Sequence, residues 1–140
     1  MKDIPGGKDI ALLILRLALG GIFLMHGCQI VLGLFGGPGL QATIQMFRTD
    51  LGIPPVFGYI AAFTQLLGGA ALILGLMTRL AALGIAITMI VAVWKVHWVH
   101  GFFLQNQGYE YNLALIAIAL VLILRGAGDY AFDKKICKDA

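Results

Sequence analysis

The chain has 140 residues, of which 60% are hydrophobic and only 12% are charged. A soluble domain carries about 25% charged residues to cover its surface. Ten Lys and Arg with seven Asp and Glu therefore exclude an ordinary soluble enzyme, a disordered chain and a fibrous repeat. The net charge of +3 is small and is not gathered into a basic groove, which argues against nucleic-acid binding. The composition predicts an integral protein of the lipid bilayer.

Four apolar stretches predict transmembrane helices. A helix needs about 20 apolar residues to cross the hydrocarbon core, with a range of about 17–25, and the fourth stretch reaches this length only with its flanks. Continuous apolar runs without alternation exclude a β-barrel. The first stretch is too long for a signal peptide and lacks a small-residue cleavage site. The predicted spans are residues 10–35, 56–77, 80–98 and 109–124.

The connections between the spans differ in character. Clustered Gly and Pro at residues 36–39 end the first helix. Residues 40–51 then repeat apolar side chains at helical spacing, which predicts a short amphipathic helix on the membrane surface. The turn at residues 75–79 is tight, and short connections make antiparallel neighbours. We expect an all-α fold and a single domain: a four-transmembrane-helix up-down-up-down bundle with an interfacial helix between spans one and two.

The placement of basic residues predicts the orientation. With four spans, both ends of the chain share one side with the second connection. That side holds Lys2, Lys8, Arg79, Arg125, Lys134, Lys135 and Lys138. The opposite side holds Arg48, with Asp50 and Glu110 nearby. The positive-inside rule then places residues 1–9 and 125–140 in the cytoplasm.

Polar groups within the spans are the best pointers to function, because each costs free energy unless it is paired or solvated. At about 1.5 Å per residue, His26 and His97 lie about 24 and 25 Å from the inner starts of their helices, at one level of the outer leaflet. Arg16 lies about 9 Å from the inner boundary, where its side chain is expected to snorkel to the surface. The other polar residues near the histidine layer are Gln29, Tyr59, Gln65, Lys95, Tyr109, Glu110 and Tyr111.

Two chemistries fit this layer. His26, His97 and Glu110 are candidates for catalysis, since histidine titrates near neutral pH and can pass protons between a quinone and a carboxylate. The two histidines could instead ligate a haem axially, although the chain has no C-x-x-C-H attachment motif; no other metal site is expected. Glu110 is expected to pair with Lys95 or a histidine. The ligand-binding candidates are Gln29, Tyr59, Gln65, Lys95 and Tyr109.

A structural interpretation of the same residues stays open. Lys95 and Tyr109, with the neighbouring Trp residues, are also typical of interfacial anchors. Histidine and glutamine inside a bundle often make hydrogen bonds between helices. The polar layer then fixes helix packing and carries no chemistry.

Short motifs recur along nearly the whole chain in a specific order. They are Leu15-Arg16-Leu17, Phe23-Leu24-Met25-His26-Gly27-Cys28-Gln29, Phe35-Gly36-Gly37-Pro38-Gly39-Leu40, Leu51-Gly52-Ile53-Pro54-Pro55, Leu74-Gly75-Leu76-Met77-Thr78-Arg79 and Gly108-Tyr109-Glu110-Tyr111. Over residues 10–133 this set resembles the DoxX/DoxD-like membrane proteins. The resemblance implies a four-helix protein of the bacterial or archaeal cytoplasmic (inner) membrane. Some members belong to a thiosulfate:quinone oxidoreductase, and others are linked to membrane oxidoreductase assemblies handling thiol and oxidative stress.

The chain departs from the family pattern at two positions. The family usually has glutamate where this chain has Gln65, which removes an intramembrane proton carrier. It often has lysine where this chain has Ile30. The departures indicate either a compensated ion pair or a member that has given up the ancestral chemistry.

These observations lead to three functional hypotheses. The first is a quinone- or redox-linked subunit of a membrane oxidoreductase or respiratory assembly, which needs a bound quinone or haem or a redox partner because the chain alone carries no identifiable electron carrier. The expected protein partners are other membrane subunits or further copies of the chain in a homo-oligomer. The second is a non-catalytic accessory or scaffold subunit. The third is a carrier of a small lipophilic solute, which would need oligomerisation because four unbroken spans are few for a transporter.

Overall fold

The computed structural model describes residues 3–137, which contain helices and connecting turns but no β-strand. This confirms the prediction of an all-α fold. The helices are α1 (Gly7–Leu32), α2 (Leu40–Asp50), α3 (Pro55–Leu74), α4 (Thr78–Ala92), α5 (Glu110–Arg125) and α6 (Phe132–Cys137). After α4 the chain continues without a break through a π-helical turn, Val93–His97, and a 3-10 turn, Trp98–His100.

Three helical segments in the described part of the chain are long and apolar enough to cross a membrane. They are α1 with 26 residues, α3 with 20 residues and the continuous segment Thr78–His100 with 23 residues. Helix α5 has 16 residues, fewer than the about 20 that a helix needs to cross the hydrocarbon core unaided. The structure thus gives a membrane protein with three clear spans and a shorter fourth helix packed against them.

Glycine decides where the first span ends. Helix α1 stops at Leu32 because Gly33 adopts a left-handed φ of 68° and its N–H bonds to the Cys28 carbonyl, a common C-terminal cap. The sequence-based span of residues 10–35 is therefore longer than the helix at this end. Helix α2 then packs against α1, because the Thr43 hydroxyl lies 3.3 Å from the Ile30 carbonyl. The same hydroxyl donates to the Gly39 carbonyl at the start of α2 at 2.7 Å.

The core lies between the facing sides of α1, α3, α4 and α5. Helix α1 packs closely on α3, α4 packs on both α3 and α5, and α5 returns to α1. Helices α1 and α3 approach each other closely, since a Cβ at Gly20 would lie 2.8 Å from the Gly69 carbonyl oxygen. Small residues bring membrane helices together in this way. The side chains that fill the core are Leu12, Leu19, Phe23, Leu72, Ile85, Met89, Leu115 and Leu122.

Arg16 does not snorkel, and the sequence-based expectation for it was wrong. Its side chain is only 1% exposed. Nε donates to the Leu72 carbonyl at 3.0 Å, one terminal nitrogen donates to Ala127 and Tyr130 at 2.7 and 2.9 Å, and the other donates to Ile73 at 3.2 Å. The guanidinium thus bonds to the Leu72 and Ile73 carbonyls in the last turn of α3, where helical partners run out, and holds the segment after α5.

Two carboxylates complete this end of the bundle. The oxygens of Asp133 accept the backbone N–H groups of Met77 and Thr78 at 2.6 and 2.9 Å, which caps the start of α4 where the helix dipole favours negative charge. Asp9, near the start of α1, accepts the N–H of Asp129 at 3.0 Å. The first turns of α1 and α4 therefore meet the end of α3 and the segment after α5 at one end, which we call the Arg16 end.

Candidate functional site

A cavity of about 460 Å³ lies between α3 and α4, toward the end of the bundle opposite Arg16. Its volume is in the range of about 300–1,000 Å³ typical of small-molecule sites. Most of its wall is apolar, and its polar groups come from Thr64, Gln65, Thr88 and Lys95. The apolar lining consists of Phe47, Leu51, Gly52, Ile53, Pro54, Phe57, Ile60, Ala61, Gly84, Ile87, Met89, Val91, Ala92, Trp94 and Val96.

Gln65 supplies one polar group that is available to a ligand in this cavity. Its side chain is half-buried, and within residues 3–137 its amide makes no hydrogen bond. The nearby Thr88 hydroxyl already donates to the Gly84 carbonyl in its own helix at 2.8 Å. A partly buried amide without a partner gains free energy when it meets an acceptor or donor on a ligand.

The π-helical turn forms the rim of the cavity. Single π-turns within α-helices often occur at functional sites. This turn carries both Trp94 and Lys95, and the Lys95 ammonium lies 4.6 Å from the centre of the Trp94 ring. Both side chains also line the cavity. The rim therefore presents a cation and an aromatic surface beside an apolar interior.

His26 and His97 do not line this cavity, and each of them bonds to a backbone carbonyl instead. His26 Nδ1 is 2.8 Å from the Ile22 carbonyl, and His97 Nδ1 is 2.7 Å from the Gln107 carbonyl. Because a carbonyl oxygen only accepts, each bond requires a proton on Nδ1, which in the neutral ring leaves Nε2 as an acceptor. No hydrogen bond in the described part of the chain joins the two histidines to each other.

Tyr109 and Glu110 are held by the loop that precedes α5. The Tyr109 ring stacks on Trp98 with centroids 5.5 Å apart and meets Phe102 edge-on at 5.7 Å. The Glu110 N–H donates to the Phe102 carbonyl at 2.9 Å. Within residues 3–137, the Glu110 carboxylate forms no ion pair with Lys95 or a histidine. The expected pairing is therefore not formed.

The remaining sequence-based candidates, Gln29 and Tyr59, are also apart from the cavity lining. The Gln29 amide lies 3.4 Å from the Phe35 carbonyl, so it contacts the loop that follows its own helix. The Tyr59 side chain is 43% exposed. Of the polar layer proposed from the sequence, the structure brings only Gln65 and Lys95 into one cavity.

Sequence reasoning missed two contributors to the cavity. One is Thr88, whose position four residues after Gly84 signals a hydroxyl bonded within its own helix. The other consists of Phe47 in α2 and residues 51–54 after it, which line the cavity beside the first turn of α3. Nothing in the apolar spacing of α2 indicates which spans it covers.

Comparison with known proteins identifies the family of the chain. The family described as DoxX matches residues 11–98. The chain belongs to the DoxX family. The resemblance drawn from the short motifs is thereby confirmed, and the matched region contains every residue that lines the cavity.

Two relatives of this DoxX protein cover most of its length. It is 35% identical over 114 residues to the "Putative oxidoreductase CatD" of Bacillus subtilis, covering 81% of this chain and 79% of that protein. It is 31% identical over 135 residues to an uncharacterized protein of Haemophilus influenzae, covering 94% of this chain and 87% of that protein. No solved structure matches the chain.

Proposed function

We propose that this DoxX protein is a membrane subunit of a redox assembly and that the cavity between α3 and α4 binds a quinone head group. One observation carries the proposal. An apolar cavity of suitable volume contains the unpartnered Gln65 amide inside and a cationic, aromatic rim at Trp94 and Lys95. A quinone combines a flat apolar ring with carbonyl acceptors and a lipid-soluble tail, and each part has a counterpart here.

The binding chemistry follows from the donors. The Gln65 amide has two N–H donors and the Lys95 ammonium has three, so both can bind quinone carbonyl oxygens. The apolar wall excludes water, which strengthens these hydrogen bonds. Gln65 is not ionisable, so it orients a head group but carries no proton. Proton exchange then depends on other groups, among which Glu110 and the Nε2 atoms of the histidines remain candidates.

Electron transfer needs a partner, because no electron carrier is identifiable from the sequence alone. The similarity to a protein named as an oxidoreductase supports an association with such an enzyme. We place the assembly in the cell inner membrane with α5 as a fourth span and both chain ends in the cytoplasm. The meeting of four helix ends at the Arg16 end supports an even number of crossings, and the basic residues near that end support the orientation.

The first prediction concerns Gln65→Leu, which keeps the size of the side chain and removes its donors. We expect the purified variant to bind a short-chain ubiquinone analogue about fivefold to tenfold more weakly than the wild type, because one hydrogen bond contributes about 1 kcal/mol. Quenching of tryptophan fluorescence measures the affinity, since Trp94 lines the cavity.

The matched control is Gln45→Leu, the same substitution on the exposed side of α2 and outside the cavity lining. It is expected to retain the wild-type affinity. Equal affinity of Gln65→Leu and the wild type would contradict the assignment of this cavity. A Soret band in the spectrum of the purified protein, lost in His26→Ala, would instead favour the haem hypothesis.

A scaffold function is the second candidate, and His97 favours it. The His97 ring bonds to the Gln107 carbonyl in the loop before α5, which ties two segments together as a packing role requires, whereas the His26 ring bonds to Ile22 within its own helix. If His26→Ala and His97→Ala preserve assembly with the partner while Gln65→Leu leaves quinone binding unchanged, the chain is an accessory subunit.

A further inference from the structure

A second cavity, of about 590 Å³, lies at the Arg16 end on the outer side of α1 and α3. We call it the inner-end cavity. It shares no residue with the cavity proposed for a quinone. It is lined by Leu13, Arg16, Ile73, Leu74, Asp129, Tyr130, Ala131, Phe132, Lys134 and Lys135.

One wall of the inner-end cavity is apolar and belongs to the membrane-spanning helices. Leu13 comes from α1, and Ile73 and Leu74 come from the last turn of α3. The Leu74 side chain is 47% exposed. In a bilayer this wall contacts acyl chains, so whatever occupies the cavity has to be compatible with lipid on that side.

The charged residues of the lining carry an excess of positive charge. The lining contains three cations, Arg16, Lys134 and Lys135, and one anion, Asp129, which leaves two positive charges. Lys134 shares its charge with Asp129 at 2.7 Å. Asp133 is not part of the lining, and its oxygens bond to the start of α4.

The cations differ in how they can act. The hydrogen bonds of Arg16 go to four backbone carbonyls and its charge interacts with that of Asp133, so it makes no direct contact with a ligand. Lys134 and Lys135 are exposed, and the Lys135 ammonium lies 5.4 Å from the centre of the Phe132 ring. The two lysines are therefore the groups able to contact an anionic ligand.

We infer that the inner-end cavity binds an anionic phospholipid, with the phosphate at Lys134 and Lys135 and an acyl chain along Leu13, Ile73 and Leu74. An apolar wall on spanning helices next to a basic rim matches the two ends of such a lipid, and basic pockets at the ends of spans bind anionic head groups. A soluble phosphate would contact the basic residues alone and would make no use of the apolar wall. This inference requires membrane insertion alone and does not depend on quinone binding.

The second prediction is a lipid preference that two lysines control. The intact chain in detergent, titrated with phosphatidylglycerol or phosphatidylcholine and followed by native mass spectrometry, is expected to bind phosphatidylglycerol more tightly. Lys134→Gln with Lys135→Gln should weaken phosphatidylglycerol binding about tenfold, since each basic residue near an anionic head group contributes roughly fivefold and Lys134 is partly neutralised.

The matched control removes the same charge elsewhere. Lys8→Gln with Arg125→Gln changes two exposed cations near the same end that do not line the cavity, and we expect it to retain wild-type binding. An equal loss in both double variants would overturn the site in favour of general attraction. Equal binding of the two lipids, or displacement of the lipid by glycerol phosphate at similar concentrations, would also overturn it.

A third variant tests the acyl-chain wall. Leu74→Trp keeps the wall apolar but narrows the cavity, and Leu80→Trp, on the exposed side of α4 and outside the lining, is its control. Weaker phosphatidylglycerol binding in Leu74→Trp but not in Leu80→Trp supports a bound lipid. Unchanged binding in Leu74→Trp would contradict the placement of the acyl chain.

Discussion

Arg16→Met is expected to lower the free energy of unfolding by about 3 kcal/mol. Methionine keeps much of the volume and the apolar stem, but it removes the side-chain donor to four backbone carbonyls, one of which, that of Leu72, also accepts the Gly75 N–H at 3.2 Å. An unpaired buried polar group costs about 1–3 kcal/mol, whereas hydrogen bonds in membrane proteins average about 0.6 kcal/mol. Four charge-assisted bonds therefore support a loss of about 3 kcal/mol, which is a large share of the about 5–15 kcal/mol that stabilises a typical domain.

Unfolding in detergent with increasing sodium dodecyl sulfate measures this effect. Arg16→Lys restores the charge but not the planar group that reaches several carbonyls at once, so its stability should lie between those of the wild type and Arg16→Met. Arg125→Met is the control, because Arg125 is exposed at the end of α5. If Arg16→Met and Arg125→Met unfold alike, Arg16 does not hold this end of the bundle together.

The positions of α1 to α5 could be predicted because they depend on local features, whereas α6 was not predicted. Apolar runs of sufficient length define α1, α3 and the segment Thr78–His100, and the amphipathic spacing of residues 40–51 defines α2. Glycine and proline decide the ends, as at Gly33 and Pro55. These signals are contained within windows of one helix length, so they do not require knowledge of how the helices pack.

The role of Arg16 could not be predicted because its partners are distant in sequence. Hydropathy and depth describe Arg16 only as a single charge within one span. On that information, snorkelling to the membrane surface is the arrangement of lowest free energy. In the structure the segment after α5 folds back under α3 and supplies carbonyls from Ala127 and Tyr130. This contact depends on where a turn more than a hundred residues away comes to lie.

The candidate site was predicted in part for a similar reason. Depth estimates placed polar residues of all four spans in one layer, but depth does not say which side of a helix a residue occupies. Gln65 and Lys95 line a shared cavity, while the histidines bond to nearby carbonyls of their own chain. The π-helical turn at Val93–His97 also shifts the register of its residues, which a regular helical period cannot anticipate.

The two cavities differ in how firmly the helices around them are held together. The inner-end cavity adjoins a network of hydrogen bonds that ties α1, α3, α4 and the segment after α5 together. The cavity between α3 and α4 is covered by a π-helical turn and the end of α2. A bundle fixed at one end can admit a lipophilic ligand between two helices at the other end without separating its core.

The close packing of α1 on α3 leads to the last prediction, in which Gly27→Ala is compared with Gly21→Ala. A Cβ at Gly27 would lie 2.8 Å from the Leu66 Cβ and would overlap the Leu66 backbone, whereas a Cβ at Gly21 meets nothing within 4 Å.

Backbone cannot rotate away as a side chain can, so Gly27→Ala must move the two helices apart. Overpacking of this kind costs about 1–3 kcal/mol. Gly21→Ala should leave stability unchanged or raise it by up to about 1 kcal/mol, since alanine favours the helix over glycine. Both variants are measured by unfolding in sodium dodecyl sulfate, and Gly27→Ala is also expected to weaken quinone binding, because displacement of α3 moves Gln65. Equal stability of the two variants would contradict the contact between α1 and α3 on which the position of Gln65 depends.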